Sequence, residues 1–327
     1  MTLPDKVKEL FDYPVPAHSL RAGYALGGMS LGVFFLLFLS GALLAYFGYT
    51  PDVKGAYDSI VSIGKTPLLS NFRAIHALSA ELFLALAAIH VTRIVLTKSY
   101  YKERRVTWNV GIVILGLAVA FFFTGTLLKW DQEGTEAFAH VLWVNESIPG
   151  GGFLTNLLFN ENIPLKMFVI HAVALPFVMA GLLGVHLVLI KALKISGLSP
   201  SAPPAPETVS FTDHMKVVLT YSAIITAGVI IVSLFYQPEI TGSPIDGVEW
   251  TKPPWPFLFL YTLENWYGIW PLLLGPPILF GWLLVIPSLS NSSSNWDMGQ
   301  YLYFAMVALI VILILVGAWS APVVHIM

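Results

Sequence analysis

The sequence predicts an all-α polytopic membrane protein in which four membrane spans are followed by a linker and three further spans. Three observations predict it. Only 11% of the 327 residues are charged and 56% are hydrophobic, whereas a soluble domain carries roughly 25% charged residues. Apolar stretches of about 20 residues, the length a membrane-crossing helix needs, recur seven times along the chain. Basic residues gather in alternate connections, as they do in cytoplasmic loops.

Taken in order, the N-terminal stretch MTLPDKVKELFDYPVP is polar and lacks the basic-then-apolar layout of a signal peptide. Its Val7, Leu10 and Phe11 suggest a short amphipathic surface helix. The spans are expected near 24–47, 76–97, 109–128, 165–190, 216–236, 257–286 and 301–320. The sixth is long and broken by Pro271, Pro276, Pro277 and Pro287, so its first part reads as a surface segment. Lys6, Lys8 and Arg21 precede the first span. Lys98, Lys102, Arg104 and Arg105 separate the second from the third, and Lys191 and Lys194 follow the fourth. All three groups lie on one side if the N-terminus is cytoplasmic and the C-terminus outside. The opposite connection, 129–164, holds Asp131, Glu133, Glu136, Glu146 and Glu161. GLSPSAPPAPETVS at 197–210 has the composition of a linker, dividing a module at 1–196 from a second at 211–327.

Composition also excludes functions. A net charge of −2 does not imply nucleic acid as a partner. With no cysteine, the chain can hold neither disulfides nor thiolate-bound iron–sulfur clusters nor covalent c-type haem.

Four histidines carry the chemistry. His76 and His90 stand fourteen residues apart in the second span. At 100° and 1.5 Å per residue they fall about 40° short of the same azimuth and about 21 Å apart along the helix. His171 and His186, in the fourth span, are fifteen apart, which places them about 60° apart on one broad face and about 22 Å apart in height. The two helices run in the same direction, so His76 matches His171 near the outer end and His90 matches His186 near the inner end. A single intramembrane histidine is often a hydrogen-bonded packing residue; four matched in depth on two parallel helices fit packing less well. Zinc usually takes four clustered ligands, and these are two separated pairs. Haem iron takes axial imidazoles, so two stacked bis-histidine haem sites are the reading that uses all four. Gly27 and Gly41 in the first span, and Gly111 and Gly125 in the third, repeat the spacing of fourteen. A glycine lets backbone approach a flat macrocycle, although membrane helix packing also favours small residues. Arg73 and Arg93 flank the histidines of the second span, with Arg104 nearby. All three are candidates to pair with haem propionates, while the positive-inside pattern accounts equally well for Arg93 and Arg104.

These stretches bring a family into view. YALGGMSL, RAIHALSAELFLALAAIHVTR, RRVTW, FTGTLLKWDQ and HAVALPFVMAGLLGVHLVLIK resemble the cytochrome b of Rieske/cytochrome b quinol oxidoreductases, the cytochrome bc1/b6f class, over nearly the whole chain. The fifteen-residue step and the four-plus-three division are similar to the photosynthetic b6f branch, here with both modules on one polypeptide. The resemblance implies a four-helix haem-binding bundle with two noncovalent b-type haems, ligated by His76 and His171 outside and by His90 and His186 inside. It implies quinol oxidation at an outer site, quinone reduction at an inner site and a contribution to a proton gradient across a bacterial or archaeal cytoplasmic membrane. It further implies a Rieske-type iron–sulfur protein and a c-type cytochrome or equivalent acceptor as partners, bound lipid and a dimer of complexes. The alternative is a diheme membrane anchor of a dehydrogenase or reductase with one quinone site and no Rieske partner.

Two departures stand out. Family members commonly carry Pro-Glu-Trp-Tyr at the outer quinol site; here Pro253, Pro254, Trp255 and Pro256 put a proline where the proton-accepting glutamate would be. Glu249 and Glu264 are the candidate substitute acceptors, with Glu264 slightly favoured because it lies in an apolar segment; the alternatives are that Glu264 only hydrogen-bonds at the surface, or that outer-site activity is lost. Ala25 replaces the cysteine that in the b6f branch holds an extra haem. The resemblance assigns the inner quinone site to Asp213, with His18 and His214 as weaker candidates; Asp213 can equally be a helix cap. His140 and His325 have no assigned role.

Overall fold

A computed structural model describes residues 12–159, 161–197, 207–291 and 296–326. The amphipathic helix expected before residue 12 and most of the linker lie outside these. A short strand β1 (Pro14–Pro16) leads into α1 (Ala22–Phe47), followed by α2 (Gly55–Lys65), α3 (Pro67–Leu96), α4 (Arg105–Leu128), α5 (Gln132–Glu146) and α6 (Gly151–Leu158). The next span is built from α7 (Ile163–Val169), a π turn (Ile170–Ala174) and α8 (Leu175–Leu193). Strand β2 (Thr208–Ser210) opens α9 (Phe211–Ser233), and β3 (Val248–Glu249) precedes α10 (Leu258–Tyr267), α11 (Trp270–Val285), α12 (Met298–Trp319) and β4 (His325–Ile326). Among the described residues, seven helices are long and apolar enough to cross a membrane. Phe35, Phe38, Leu39, Phe177 and Val188 are exposed along them, as lipid-facing positions are.

The boundaries depart from expectation in two places. The second span begins at Pro67, nine residues before His76, because proline is suited to the first turn of a helix. The predicted sixth span divides at Gly268, which adopts φ 71° and ends α10. Pro271 stands in the first turn of α11 and Pro287 in the 3-10 turn that follows it, while Pro276 and Pro277 lie inside the helix without ending it. The first part of the expected span is a separate helix, α10, which lies outside the membrane-length segment Trp270–Leu289 and buries Leu258, Leu260, Tyr261 and Thr262.

One hydrophobic core joins residues on both sides of the linker: Val95, Tyr100, Trp108 and Ile112 pack with Leu283, Ile286 and Tyr303. The Trp108 indole donates to the Leu283 carbonyl at 2.9 Å. Beside it, Lys98 and Asp297 form a buried ion pair at 2.9 Å, and Asp297 caps α12. On the other flank, α1 packs closely on α9 through small residues, as membrane helices do. A Cβ on Gly28 would lie 2.5 Å from Val218 Cγ1, and one on Gly32 would lie 2.8 Å from Ser222 Oγ. Val218 is β-branched and has little rotamer freedom with which to retreat. Gly28→Ala is therefore expected to destabilise by about 1–3 kcal/mol, the usual cost of overpacking. The thermal midpoint should fall, and the second change Val218→Ala should restore it.

Candidate functional site

His76 on α3 and His171 in the π turn face each other, their ring centroids 6.3 Å apart and their planes at 64°. The π turn explains the step of fifteen. Pro176 has no N–H to offer the preceding turn, and the wider turn takes up one extra residue. The step from His171 to His186 is thereby equivalent to fourteen α-helical steps, which gives this pair the same angular relation as His76 and His90.

The hydrogen bonds around these two rings fix their tautomers. Ser40 Oγ donates to the Leu36 carbonyl at 2.7 Å, and Thr124 Oγ1 donates to the Ala120 carbonyl at 2.8 Å. Both hydroxyls therefore present lone pairs to the histidines. His76 Nδ1 lies 3.0 Å from Ser40 Oγ and 3.1 Å from the Leu37 carbonyl, and His171 Nδ1 lies 2.9 Å from Thr124 Oγ1. Each Nδ1 must then carry the proton, which leaves Nε2 with a free lone pair. A metal-ligating histidine is oriented in this way. Metal–imidazole bonds of about 2 Å, plus about 1 Å from nitrogen to ring centre on each side, give a centroid separation of about 6 Å. The observed 6.3 Å fits a single metal between the rings.

At the other end, His90 is seated against Gly27 and His186 against Gly111. His90 Nδ1 and His186 Nδ1 are both buried without a partner. Arg93 Nε and Nη2 and Thr107 Oγ1 are also buried and unpaired. The Arg93 guanidinium lies over the Tyr24 ring at 3.6 Å. Buried donors left unsatisfied together call for an acceptor, and an anionic group of a bound cofactor would supply one.

The four glycines correspond one to one with the four histidines. A Cβ on Gly41 would meet His76 Cε1 at 2.9 Å, on Gly125 His171 Cε1 at 3.1 Å, on Gly27 His90 Cε1 at 3.3 Å and on Gly111 His186 Cε1 at 3.4 Å. The space each glycine leaves is thus filled by an imidazole, where the sequence suggested a macrocycle face. Gly27 and Gly41 repeat the spacing of fourteen of His90 and His76, while Gly111 and Gly125 face His186 and His171, whose step of fifteen includes the extra residue of the π turn.

Two of the three arginines are otherwise engaged. Arg73 donates to the Pro238 and Glu239 carbonyls, with Nε buried and unpaired. Arg104 donates to the Leu193 carbonyl at 2.5 Å and the Lys194 carbonyl at 3.0 Å, satisfying the open end of α8. Arg93 alone among them keeps two unpaired nitrogens.

The loop of Pro253, Pro254, Trp255 and Pro256 sits at the His76–His171 end. The Trp255 indole donates to Glu81, five residues beyond His76. Phe257 packs edge-on against Phe122 and Phe123, next to Thr124. The acid-rich connection turns out to hold this region together. Asp131 is fully buried and accepts from the Gly134 and Thr241 amides, both at 3.0 Å. Glu136 accepts from the Trp250 amide at 2.8 Å, the Thr251 amide at 3.0 Å and the Gln132 side chain at 2.7 Å. Glu249 and Glu264 converge on His140, each 3.1 Å from its Nε2. His140 is the residue that sequence reasoning left without a role. It lies four residues after Glu136, but the partners that reveal it are more than a hundred residues away.

The candidates at the opposite end are more dispersed. His18 Nε2 donates to the Ser196 carbonyl at 2.9 Å, and His214 Nδ1 donates to the Ser19 carbonyl at 2.9 Å. Asp213 is exposed and pairs with Lys216 at 2.8 Å. The N-cap of α9 is Ser210, whose Oγ accepts from the Thr212 amide at 3.0 Å, so Asp213 does not serve as the cap. Ala25 is fully buried.

Comparison with known proteins places this geometry. Residues 81–244, about half of the chain, match the family described as "Cytochrome b(N-terminal)/b6/petB". The cytochrome bc complex cytochrome b subunit of Chlorobaculum thiosulfatiphilum is 35% identical over 188 residues, 56% of this chain and 44% of that protein. This chain thus spans less than half the length of that relative. Cytochrome b6 of Heliobacterium modesticaldum is 29% identical over 196 residues, 58% of this chain and 92% of its own length. Cytochrome b6 of Prochlorococcus marinus is 32% identical over 191 residues, 56% of this chain and 86% of its own. The fold is similar to that of a chain of a hyperthermophilic respiratory Complex III, with a TM-score of 0.80 at 22% identity, covering 97% of this chain and 89% of that one. With His90, His171 and His186 inside the matched stretch and seven apolar spans around them, the chain belongs to the cytochrome b(N-terminal)/b6 family and is an integral membrane protein.

Proposed function

We propose that this chain is the diheme cytochrome b subunit of a bc-type quinol:electron-acceptor oxidoreductase. The observation that carries this reading is the facing of His76 and His171, both protonated on Nδ1, at a separation one metal fills. His76 and His171 would hold one b-type haem and His90 and His186 the other, with no covalent attachment. Arg93 would pair with a propionate at the His90–His186 end, and Arg73 would do so at the other end through Nε. When bound, haem supplies one-electron chemistry at an iron whose potential its axial imidazoles and their hydrogen bonds tune.

The chain's own residues do the rest. Ser40, Leu37 and Thr124 keep the imidazoles in the ligating tautomer. Gly27, Gly41, Gly111 and Gly125 admit the rings to the helix interface. The Pro253–Pro256 loop, held against α3, which bears His76, and against α4, which bears Thr124, would shape the quinol-oxidation pocket. Asp213 and His18 would serve quinone reduction at the opposite end. We read residues 1–196 as the diheme module, 197–210 as the linker and 211–327 as the module carrying the quinol loop. With the N-terminus cytoplasmic, quinol is oxidised outside, where a Rieske-type protein and a c-type cytochrome or its equivalent take electrons, and the complex conserves energy as a proton gradient.

The test is a redox titration of the purified membrane complex with quinol and with site-directed inhibitors. Two b-haem potentials and two quinone sites of different inhibitor sensitivity are expected. A single quinone site would point to a diheme anchor instead.

A further inference from the structure

We propose that Glu249, His140 and Glu264 act as one proton-binding unit for quinol oxidation at the Pro253–Pro256 loop, with His140 as the positioning residue that holds the two carboxylates together. This rests on the functional reading above and names the groups that take its proton.

The contacts of His140 set the charge of the unit when both carboxylates are ionised. His140 Nδ1 lies 2.8 Å from the Glu136 carbonyl, which can only accept, so Nδ1 carries a proton. Nε2 lies 3.1 Å from Glu249 Oε1 and 3.1 Å from Glu264 Oε1, and ionised carboxylates also only accept. Both ring nitrogens are therefore protonated and the imidazole is a cation. Burial opposes that charge, but hydrogen bonds to Glu249 and Glu264 and their charges outweigh it and push the His140 pKa up to about 10.

Two carboxylates around one imidazolium leave a net charge of −1, so the unit can take one more proton and become neutral. The groups around His140 limit where that proton goes. On its own helix, the Glu136 carboxylate is occupied by Trp250, Thr251 and Gln132, and Trp143 packs edge-on against the ring. Strand β3 contributes Glu249 and α10 contributes Glu264, while β4 sets His325 opposite Glu249 in the backbone register. Among the described residues, His140 is the one cation paired with either carboxylate. The Glu264 side chain is 17% accessible and that of Glu249 is 8%. Glu264 is accordingly the entry point and Glu249 the fixed counter-charge.

Quinol oxidation releases two electrons and two protons as the two O–H bonds break. The electrons would leave to two one-electron acceptors, an iron–sulfur partner and the haem that His76 and His171 would hold. One proton goes to a Glu264 carboxylate oxygen, forming a neutral carboxylic acid, and later to water; the other goes directly to water. The position nearest the indole, Pro254, offers no base, and the indole itself is tied to Glu81.

The experiment uses the intact complex in membranes with Glu264→Gln, Glu249→Gln, His140→Gln and the conservative Glu264→Asp. Dithionite-reduced haem spectra check that each variant is assembled. Quinol-driven b-haem reduction is then followed across pH, together with the protonated-carboxyl stretch in infrared difference spectra. Glu264→Gln should slow reduction about a hundredfold, at the low end of acid–base contributions, and abolish the carboxyl band. Glu264→Asp should recover part of both. Glu249→Gln should slow it less. His140→Gln should shift the pH profile of the rate and the pH at which the carboxyl band appears, which a packing role would leave in place. Unaltered rates and profiles in Glu264→Gln or His140→Gln, with haems intact, would overturn the proposal alone. Absence of quinol-driven haem reduction in the unsubstituted complex would overturn the functional reading, and the proposal with it.

Discussion

Replacing His171 with alanine is expected to reduce bound haem from two per chain to one, leaving the remaining haem with its potential little changed. The substitution deletes one axial ligand at the His76–His171 end and leaves His76 facing an empty space. The other pair lies about 21 Å away along the helix, on residues that share no hydrogen bond with His171. His76→Ala should have the same result from the opposite helix, and His90→Ala or His186→Ala should remove the complementary haem. A milder change tests the orienting shell. Thr124→Val removes the acceptor of the His171 Nδ1 proton while keeping shape, and should weaken haem retention by about 10–100-fold, as loss of a second-shell partner typically does. The measurement is haem per polypeptide by pyridine haemochrome, with a redox titration of the purified protein. Loss of both haems from either outer variant, with the helices still folded by circular dichroism, would show that the pairing across α3 and the π turn is wrong.

What the sequence made legible follows from what is periodic. The histidine spacing, the matched glycines and the apolar spans obey the geometry of a single helix, so counting residues was enough to place His76 level with His171. Contacts between distant segments carry no such period. Glu136 and Asp131 read as markers of membrane sidedness, yet both are buried clamps on the loop at 241–251. Arg104 read as a candidate haem partner, and its bonds to the end of α8 carried no sequence signal. His140 carried no signal because its two carboxylates arrive from β3 and α10. The fifteen-residue step was visible but its resolution was not: periodicity assumes a uniform helix, and Pro176 breaks that assumption one turn after His171. Pro276 and Pro277 of the sixth span misled in the opposite direction. Within a bundle, neighbouring groups re-satisfy the backbone that proline frees, and it is Gly268, with its positive φ, that ends α10.

The glycines allow a second large effect to be set against its own rival explanation. If they exist only for helix packing or chain flexibility, alanine in their place should stabilise each helix by about 1 kcal/mol, the ordinary difference between the two residues. If they exist to seat imidazoles, alanine should instead cost haem, in the order set by the gaps. At Gly41 the new methyl would stand 2.9 Å from His76 Cε1. That ring cannot retreat without giving up its bonds to Ser40 and the Leu37 carbonyl. Gly41→Ala is therefore expected to empty the His76–His171 site while the other haem stays. At Gly125 the gap is 3.1 Å and one bond to Thr124 is at stake, so partial loss is expected. At Gly111 the gap is 3.4 Å, ordinary contact, and the His186 Nδ1 has no bond to surrender. Gly111→Ala should keep both haems and gain the helix term. Haem stoichiometry and thermal midpoint measured on the same three alanine variants separate the two explanations, because they differ in sign at Gly41 and agree at Gly111. Three variants with equal midpoints and full haem content would mean that the close approaches to the imidazoles do not constrain the site.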